Sequence, residues 1–208
     1  MLLCDDLPLD VSRETYERLR AFEALVKKWS PRINLISKDD APHIWARHIS
    51  DSAQIATHTD FPATWLDIGA GGGFPAVVLA CIAAECAPNT KFHLIESDKR
   101  KCAFLHTARA ALGLSYTVIS KRAEDIRQQN ANTISARALA PLSDLFALAE
   151  PHAAPGATLI FPKGQTHKQE ISAARANWAF KYTTIPSITN PEAAILIIQD
   201  LQRANQPT

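Results

Sequence analysis

Chemistry concentrates in the stretch Trp65-Leu66-Asp67-Ile68-Gly69-Ala70-Gly71-Gly72-Gly73-Phe74-Pro75. An apolar run closes on Asp67, glycines follow at 69, 71 and 73, and a proline stands where the first turn of a helix accepts one. This reads as strand, tight loop, helix. The glycines allow positive φ and let a ligand approach main-chain N–H groups, and a helix opening at Phe74 and Pro75 adds a positive dipole end. The dinucleotide fingerprint G-x-G-x-x-G would put its third glycine one position later, where Phe74 stands. A carboxylate at Asp67 would repel a pyrophosphate, whereas it attracts the sulfonium and ammonium groups of S-adenosylmethionine (SAM). The loop therefore favours SAM over NAD, and the absence of Gly-Lys-Ser/Thr after it excludes a P-loop. A glycine turn with no ligand is the plain alternative.

Further along lie the residues that would complete such a site. Glu96 closes the apolar run Lys91-Phe92-His93-Leu94-Ile95, and an acid at the end of the second strand of a nucleotide-binding βαβ unit accepts hydrogen bonds from ribose hydroxyls. In Lys121-Arg122-Ala123-Glu124-Asp125-Ile126, an acidic side chain and backbone N–H groups are placed to read an adenine edge. Arg137 follows Ile134-Ser135-Ala136, and Lys163 follows Leu159-Ile160-Phe161-Pro162, so both cations fall at the carboxyl edge of a strand, where open α/β sheets hold their ligands. Upstream, Arg47, His48 and Asp51 lie within about one helical turn of each other. A satisfied polar contact where a helix meets the sheet domain explains His48 and Asp51 better than catalysis does.

The elements that must position these residues follow from periodicity. Tyr16, Leu19, Phe22, Val26 and Trp29 form the stripe of an amphipathic helix over residues 12–29, ended by Pro31. A second helix begins with Asp39 or Asp40 as its cap and Pro42 just inside, and runs to Ala56. From residue 64 strands and helices alternate, the pattern of a parallel sheet with helices on both faces. The expected elements are strands 64–68, 91–96, 115–120, 134–138 and 157–161, and helices 74–84, 98–112, 141–150 and 165–179. Gly113 is read as the C′ glycine of the helix begun at Asp98. Residues 180–185 and 193–199 read as a closing hairpin, with an antiparallel strand appended to the sheet. The domain reading is a helical extension over 1–60 and a SAM-binding domain over 61–208.

Composition narrows the class. With 208 residues, 47% of them hydrophobic, the chain can bury a sizeable core without staples. Four cysteines without a C-x-x-C pair and seven histidines without ligand spacing point to neither a disulfide framework nor a metal site, and reduced cysteines suit the cytoplasm. The first ten residues lack the basic flank and apolar core of a signal peptide, and no run reaches membrane-span length. A net charge of +1 argues against a protein that coats nucleic acid and leaves room for a local basic patch; Arg47, Lys121, Arg137 and Lys163 are its expected members.

Taken together, Asn34-Leu35, Arg47-His48-Ile49-Ser50-Asp51-Ser52, the block from Asp67 through Pro75, Ser135-Ala136-Arg137-Ala138 and Lys163-Gly164-Gln165 resemble the RsmG (GidB) family of ribosomal RNA methyltransferases over most of the chain. The glycine loop alone would mark only the broad class I methyltransferase superfamily. The resemblance implies a Rossmann-like, seven-stranded, mostly parallel sheet with an N-terminal helical extension. It implies SAM-dependent methylation of N7 of a guanine in 16S ribosomal RNA of the small subunit, position 527 in the family's name. It places cofactor contacts at Gly69, Phe74, Glu96, Ser97, Asp98, Ala123, Glu124 and Arg137, beside Asp67, Gly71 and Gly73 of the loop. Gly72 and Phe74 stand where a proline and a leucine are frequent in the family, and an alanine separates Ser135 from Arg137. Guanine N7 offers a lone pair and no proton, so no catalytic base is expected, and no oligomer is required. A small-molecule methyltransferase, an NAD-dependent oxidoreductase and a non-catalytic ribosome-assembly factor are the competing readings.

Overall fold

The structure is a computed structural model that describes residues 7–204. Cys4 and most of the N-terminal stretch discussed above lie outside them. Helix α1 (Arg13–Ile33) opens on Ser12, whose Oγ accepts the N–H of Thr15 at 3.1 Å. Pro31 does not end it. The helix runs one half-turn further to Asn34, whose left-handed φ of 50° is the true stop; the proline costs the helix one i→i−4 bond, to the Lys27 carbonyl, and the last turn still forms beyond it. Leu19, Phe22 and Val26 on its inner face are fully buried.

The expected second helix is instead irregular: a 3₁₀ turn over Ala41–His43, a π-helical run over Trp45–Ser50, one α-turn over Asp51–Ala53 and a final 3₁₀ turn over Gln54–Thr57. Asp40 stands at its start, but its carboxylate caps nothing. It pairs with Arg47 instead. The wider π turn is a frequent mark of functional sites, and here it carries Arg47 and His48.

The sheet then forms from β1 (Thr64–Ile68), β2 (Lys91–Ile95), β3 (Tyr116–Ile119), β4 (Ala131–Ser135), β5 (Ala153–Lys163), β6 (Trp178–Pro186) and β7 (Ala194–Arg203). Their order is β3-β2-β1-β4-β5-β7-β6. The first five are parallel, while β7 runs antiparallel to both β5 and β6. The expected hairpin is therefore present, and its second strand is the one that joins the sheet. Helices α2 (Ala76–Cys86), α3 (Lys99–Leu112), α4 (Leu142–Ala149) and α5 (His167–Ala174) cover the two faces. Alternation along the strands feeds two cores: Trp65, Phe92 and Leu94 face α1, α2 and α3, and Leu66, Ile95, Ile134 and Phe161 face α4 and α5. Residues Ala76 to Ala83 of α2 are all buried, as an apolar run packed between a sheet and α1 must be, and the helix turns polar only at Glu85 near its end. Asp98 caps α3 through the N–H groups of Arg100 and Lys101, and Gly113 closes it at φ 62°.

Several boundaries differ from those read off the residues: β5 begins at Ala153 rather than 157 and β7 runs to Arg203 rather than 199, and two differences bear on the site and core. β4 stops at Ser135, because Ala138 turns the chain with φ 52°. Helix α5 stops at Ala174 rather than 179, because Trp178 is drawn into the core, its ring 5.7 Å from that of Phe146 in T-shaped contact. Tertiary burial overrides the helix propensity of the alanine-rich run before it.

Candidate cofactor and substrate site

In an open parallel sheet the crevice for a ligand opens at the carboxyl ends of the strands where the order reverses. Here that point lies between β1 and β4, joined through Trp65 to Thr133 and Asp67 to Ser135. A cavity of about 1060 Å³ sits there. Its wall includes Gly69, Gly71, Phe74, Glu96, Ser97, Ala123, Glu124, Arg137, Arg47, Lys121 and Lys163. Most of the expected site residues are thus brought together.

Three expected contacts are placed elsewhere. Asp67 lies beneath the glycine loop, 1% exposed and off the cavity wall. Its Oδ1 accepts from Ser135 Oγ at 2.5 Å, and that hydroxyl accepts from Trp65 Nε1 at 2.8 Å, while Oδ2 has no partner. Burial pushes its pKa up to about 8, against the pull of the Ser135 hydrogen bond and the Arg137 charge. At neutral pH it is mostly protonated, so it is not the fixed anion that the sequence argument used. Gly73 is also off the wall: a Cβ there would stand 2.7 Å from Val77 Cγ2 and 3.0 Å from Phe22 Cζ, so this glycine seats α1 against α2. Asp98 serves as the α3 cap, held down to about pKa 2 by its bonds to Arg100.

The glycine loop itself is built for close approach. Gly71 has φ 53°, and a Cβ added to it would meet only the Gly69 carbonyl at an ordinary 3.6 Å, so that side is open. Its N–H donates to Glu96 Oε2 at 2.8 Å, and Glu96 Oε1 accepts the N–H of Asp98 at 2.7 Å. The N–H groups of Ala70 and Gly73 go to Ile95 and Ala70 carbonyls. With three of its N–H groups spent inside the protein and a carboxylate beside it, the loop is a poor pyrophosphate cradle. It suits a neutral or cationic nucleoside. Glu96 keeps lone pairs free on both oxygens for ribose hydroxyls. Ala123, whose carbonyl is 3.1 Å from His152 Nε2, and Glu124 stand across the end of β3.

Opposite them Arg137 is the hub that joins the N-terminal segment to the sheet. Its Nη1 donates to the Arg47 carbonyl at 3.3 Å and to Asp51 Oδ2 at 3.4 Å, and its Nη2 lies 2.6 Å from His48 Nδ1. Its guanidinium also lies over the Phe74 ring at 5.0 Å, a ring stacked at 4.9 Å on His48. Burial together with the Arg137 charge holds His48 down at about pKa 4, so the imidazole is neutral and its Nδ1 accepts. Asp51 is saturated: Oδ1 accepts from Ser187, Thr189 and Gln54, and Oδ2 from Arg137. The polar-junction reading of His48 and Asp51 describes what they do here.

The remaining cations divide. Lys163 Nζ donates to Glu170 at 2.8 Å and to the Ala140 carbonyl at 2.7 Å, and Arg47 pairs with Asp40. Lys121 has no carboxylate partner among the described residues, nor do its neighbours on the cavity rim, Lys101 and Arg122. Wall residues that the sequence reading missed are Asp40, Leu139 and the β6–β7 loop at Ser187, Thr189 and Asn190. No spacing announces them, since the loop reaches the site by bonds to Asp51 and Gln54, more than 130 positions away in the chain. Among the described residues no group of His, Cys, Asp and Glu could hold a metal ion, and no helix is long and apolar enough to cross a membrane.

Sheet order, the antiparallel seventh strand and the crevice define the fold of class I methyltransferases. A SAM dependent methyltransferase from Aquifex aeolicus shares it, with TM-score 0.59 and 14% identity over 78% of this chain and 94% of that one. The family model for rRNA small subunit methyltransferase G matches residues 15–196, and the chain belongs to that family. It is 51% identical to the Ribosomal RNA small subunit methyltransferase G of Cereibacter sphaeroides (strain ATCC 17029 / ATH 2.4.9), over 93% of this chain and 94% of that protein. It is 48% identical to the protein of the same name from Ruegeria sp. (strain TM1040), over 95% and 97%.

Proposed function

We propose that this protein transfers the methyl group of SAM to N7 of a guanine in 16S ribosomal RNA, the position numbered 527 in the family's name. Family membership supplies the reaction class. The observation that carries the choice of atom is that, among the described residues, the titratable acceptors on the cavity's substrate side are already engaged: His48 and Asp51 with Arg137, Asp40 with Arg47 and Glu170 with Lys163. Methylation of an exocyclic amine leaves a proton to be removed, whereas the N7 lone pair does not.

SAM supplies a methyl group activated by its sulfonium. Glu96 and Ser97 would hold the ribose, Ala123 and Glu124 the adenine edge, and the open face at Gly69 and Gly71 the amino-acid portion. Arg137 uses only part of its five-donor fork on the protein, and it is placed to orient guanine or cofactor. What remains for the protein is alignment of acceptor, methyl carbon and leaving sulfur. Backbone phosphates of the RNA are held by the unpaired rim of Lys101, Lys121 and Arg122 rather than by Lys163, whose charge is already met.

The test is incubation of the protein and labelled SAM with small subunits purified from cells lacking the activity, followed by mapping of the labelled nucleotide. Label at one guanine is expected, its loss when 7-deazaguanine replaces that base, and a single-turnover rate nearly flat from about pH 6 to 8. Continued methylation of the 7-deaza analogue would move the acceptor to another atom.

A further inference from the structure

The link between β4 and α4 is fixed at both ends and strained in the middle. At one end Arg137 is caged by His48, Asp51 and the Arg47 carbonyl. At the other, Lys163 holds the Ala140 carbonyl, and its partner Glu170 accepts the N–H of Leu142 at 3.0 Å. Between these anchors Ala138 sits at φ 52°, a left-handed conformation unfavourable for a residue with a Cβ. Strain of this kind persists only where the surroundings over-determine it, and it gathers at functional sites.

What the link displays is Leu139. It is one of three large hydrophobic residues that are exposed among the described residues, at 43%, with Tyr182 and Ile188. Unlike Tyr182, it lines the cavity. Its side chain lies over Gly69, with Cδ1 2.8 Å and Cδ2 2.9 Å from where a Cβ on that glycine would stand. It leaves nearly half of its surface in solvent, so the doubly anchored loop is not explained by core packing of Leu139 alone. It is explained by what Leu139 meets.

We infer that Leu139 is the residue that contacts the target base: its isobutyl group packs against the guanine as the base leaves its stack and enters the cavity, and it blocks the return. This rests on the rRNA guanine reading above. Enzymes that act on a base must take it out of the stack and hold it between apolar or aromatic side chains, and leucine is among the side chains that wedge between base steps. On this view Lys163 acts on RNA indirectly, as a positioning residue that aims Leu139, and Arg137 fixes the other end of the link in addition to facing the cavity.

The experiment compares wild type, Leu139→Ala, Leu139→Phe and, as a control outside the cavity, Tyr182→Ala. Three quantities are read: SAM affinity by calorimetry without RNA, the single-turnover methylation rate on small subunits, and the fluorescence of 2-aminopurine placed beside the target guanine, which rises on unstacking. Leu139→Ala should keep SAM affinity within twofold, lose at least tenfold in rate and lose the fluorescence rise. Leu139→Phe should restore both, and Tyr182→Ala should change neither. A Leu139→Ala protein with wild-type rate and fluorescence overturns the inference. So does a loss in rate matched by an equal loss in SAM affinity, which would assign Leu139 to the cofactor. If wild type itself labels no guanine, the underlying reading fails first, and that result is separable because it appears before any variant is made.

Discussion

Asp67→Asn should change how stability depends on pH far more than it changes the structure. Asp67 has its pKa raised from an ordinary 3.8 to about 8 by burial. A carboxyl with a raised folded pKa binds more protons folded than unfolded, so it opposes folding increasingly as pH rises from about 4 to 8. His48 works with the opposite sign. Its pKa is depressed from 6.5 to about 4, so its contribution is complete above 6.5 and is lost as pH falls towards 4. Below pH 6.5 the two slopes largely cancel, and above it Asp67 acts alone of the pair. Between pH 6.5 and 8 wild type should lose roughly 1.5 kcal/mol through this residue, at about 1.4 kcal/mol per unit until half titration. The Asn variant keeps an acceptor for Ser135 and has no charge to acquire, so it should lose none of this. With a urea slope on the order of 2 kcal/mol/M, the gap between the two unfolding midpoints should shift in favour of the variant by roughly 0.5–1 M between the two pH values. An unchanged gap would show that Asp67 is already ionised in the folded protein, and the attraction between a loop anion and SAM would regain its force.

Gly71→Ala and Gly73→Ala should separate ligand from fold: the first costs roughly 1 kcal/mol of stability for a left-handed alanine yet cuts SAM affinity on calorimetry, whereas the second, meeting Val77 and Phe22, lowers the melting temperature more strongly. Similar melting temperatures would refute the assignment. The salt dependence of RNA binding should flatten by about 0.7 per phosphate contact removed in Lys121→Ala and Arg122→Ala, and stay unchanged in Lys163→Met. Lys163→Met should instead destabilise by about 2–3 kcal/mol in denaturant, because it strands Glu170 and the Ala140 carbonyl; a loss confined to RNA affinity would contradict that. The His48 ring signal in NMR should hold its neutral shift down to about pH 5, and titration near 6.5 would break the Arg137 cage as drawn.

Much of this molecule was legible in the residues because local rules and global fold agree in it. The strand-loop-glycine block, the Asp98 cap and the Gly113 stop each carry a backbone requirement visible in one stretch, and the ribosomal RNA methyltransferase reading followed from blocks of that kind. What escaped depends on partners distant in sequence. Lys163 looked like a free edge cation because Glu170 lies seven positions on, across a turn, and Ala140 lies 23 positions back. Asp67 looked like an anion because nothing in its neighbours tells how deeply it will be buried. Asp40 looked like a cap because its true partner, Arg47, is reached only through a π-helical turn that no periodicity announces.

The position of β7 between β5 and β6 sets an order of events during synthesis. β6 is made first but among the described residues its one neighbour in the sheet is β7, so until β7 is made β5 presents a bare edge and β6 waits unpaired. Asp51, made early, lacks Ser187 and Thr189 over the same interval, since they follow 136 and 138 residues later. The chain therefore cannot close this wall of the cavity until the segment between β6 and β7 has been made. During that wait an open strand edge is the point most exposed to mispairing with another chain, and the docking of β7 is the step that both removes the hazard and completes the wall.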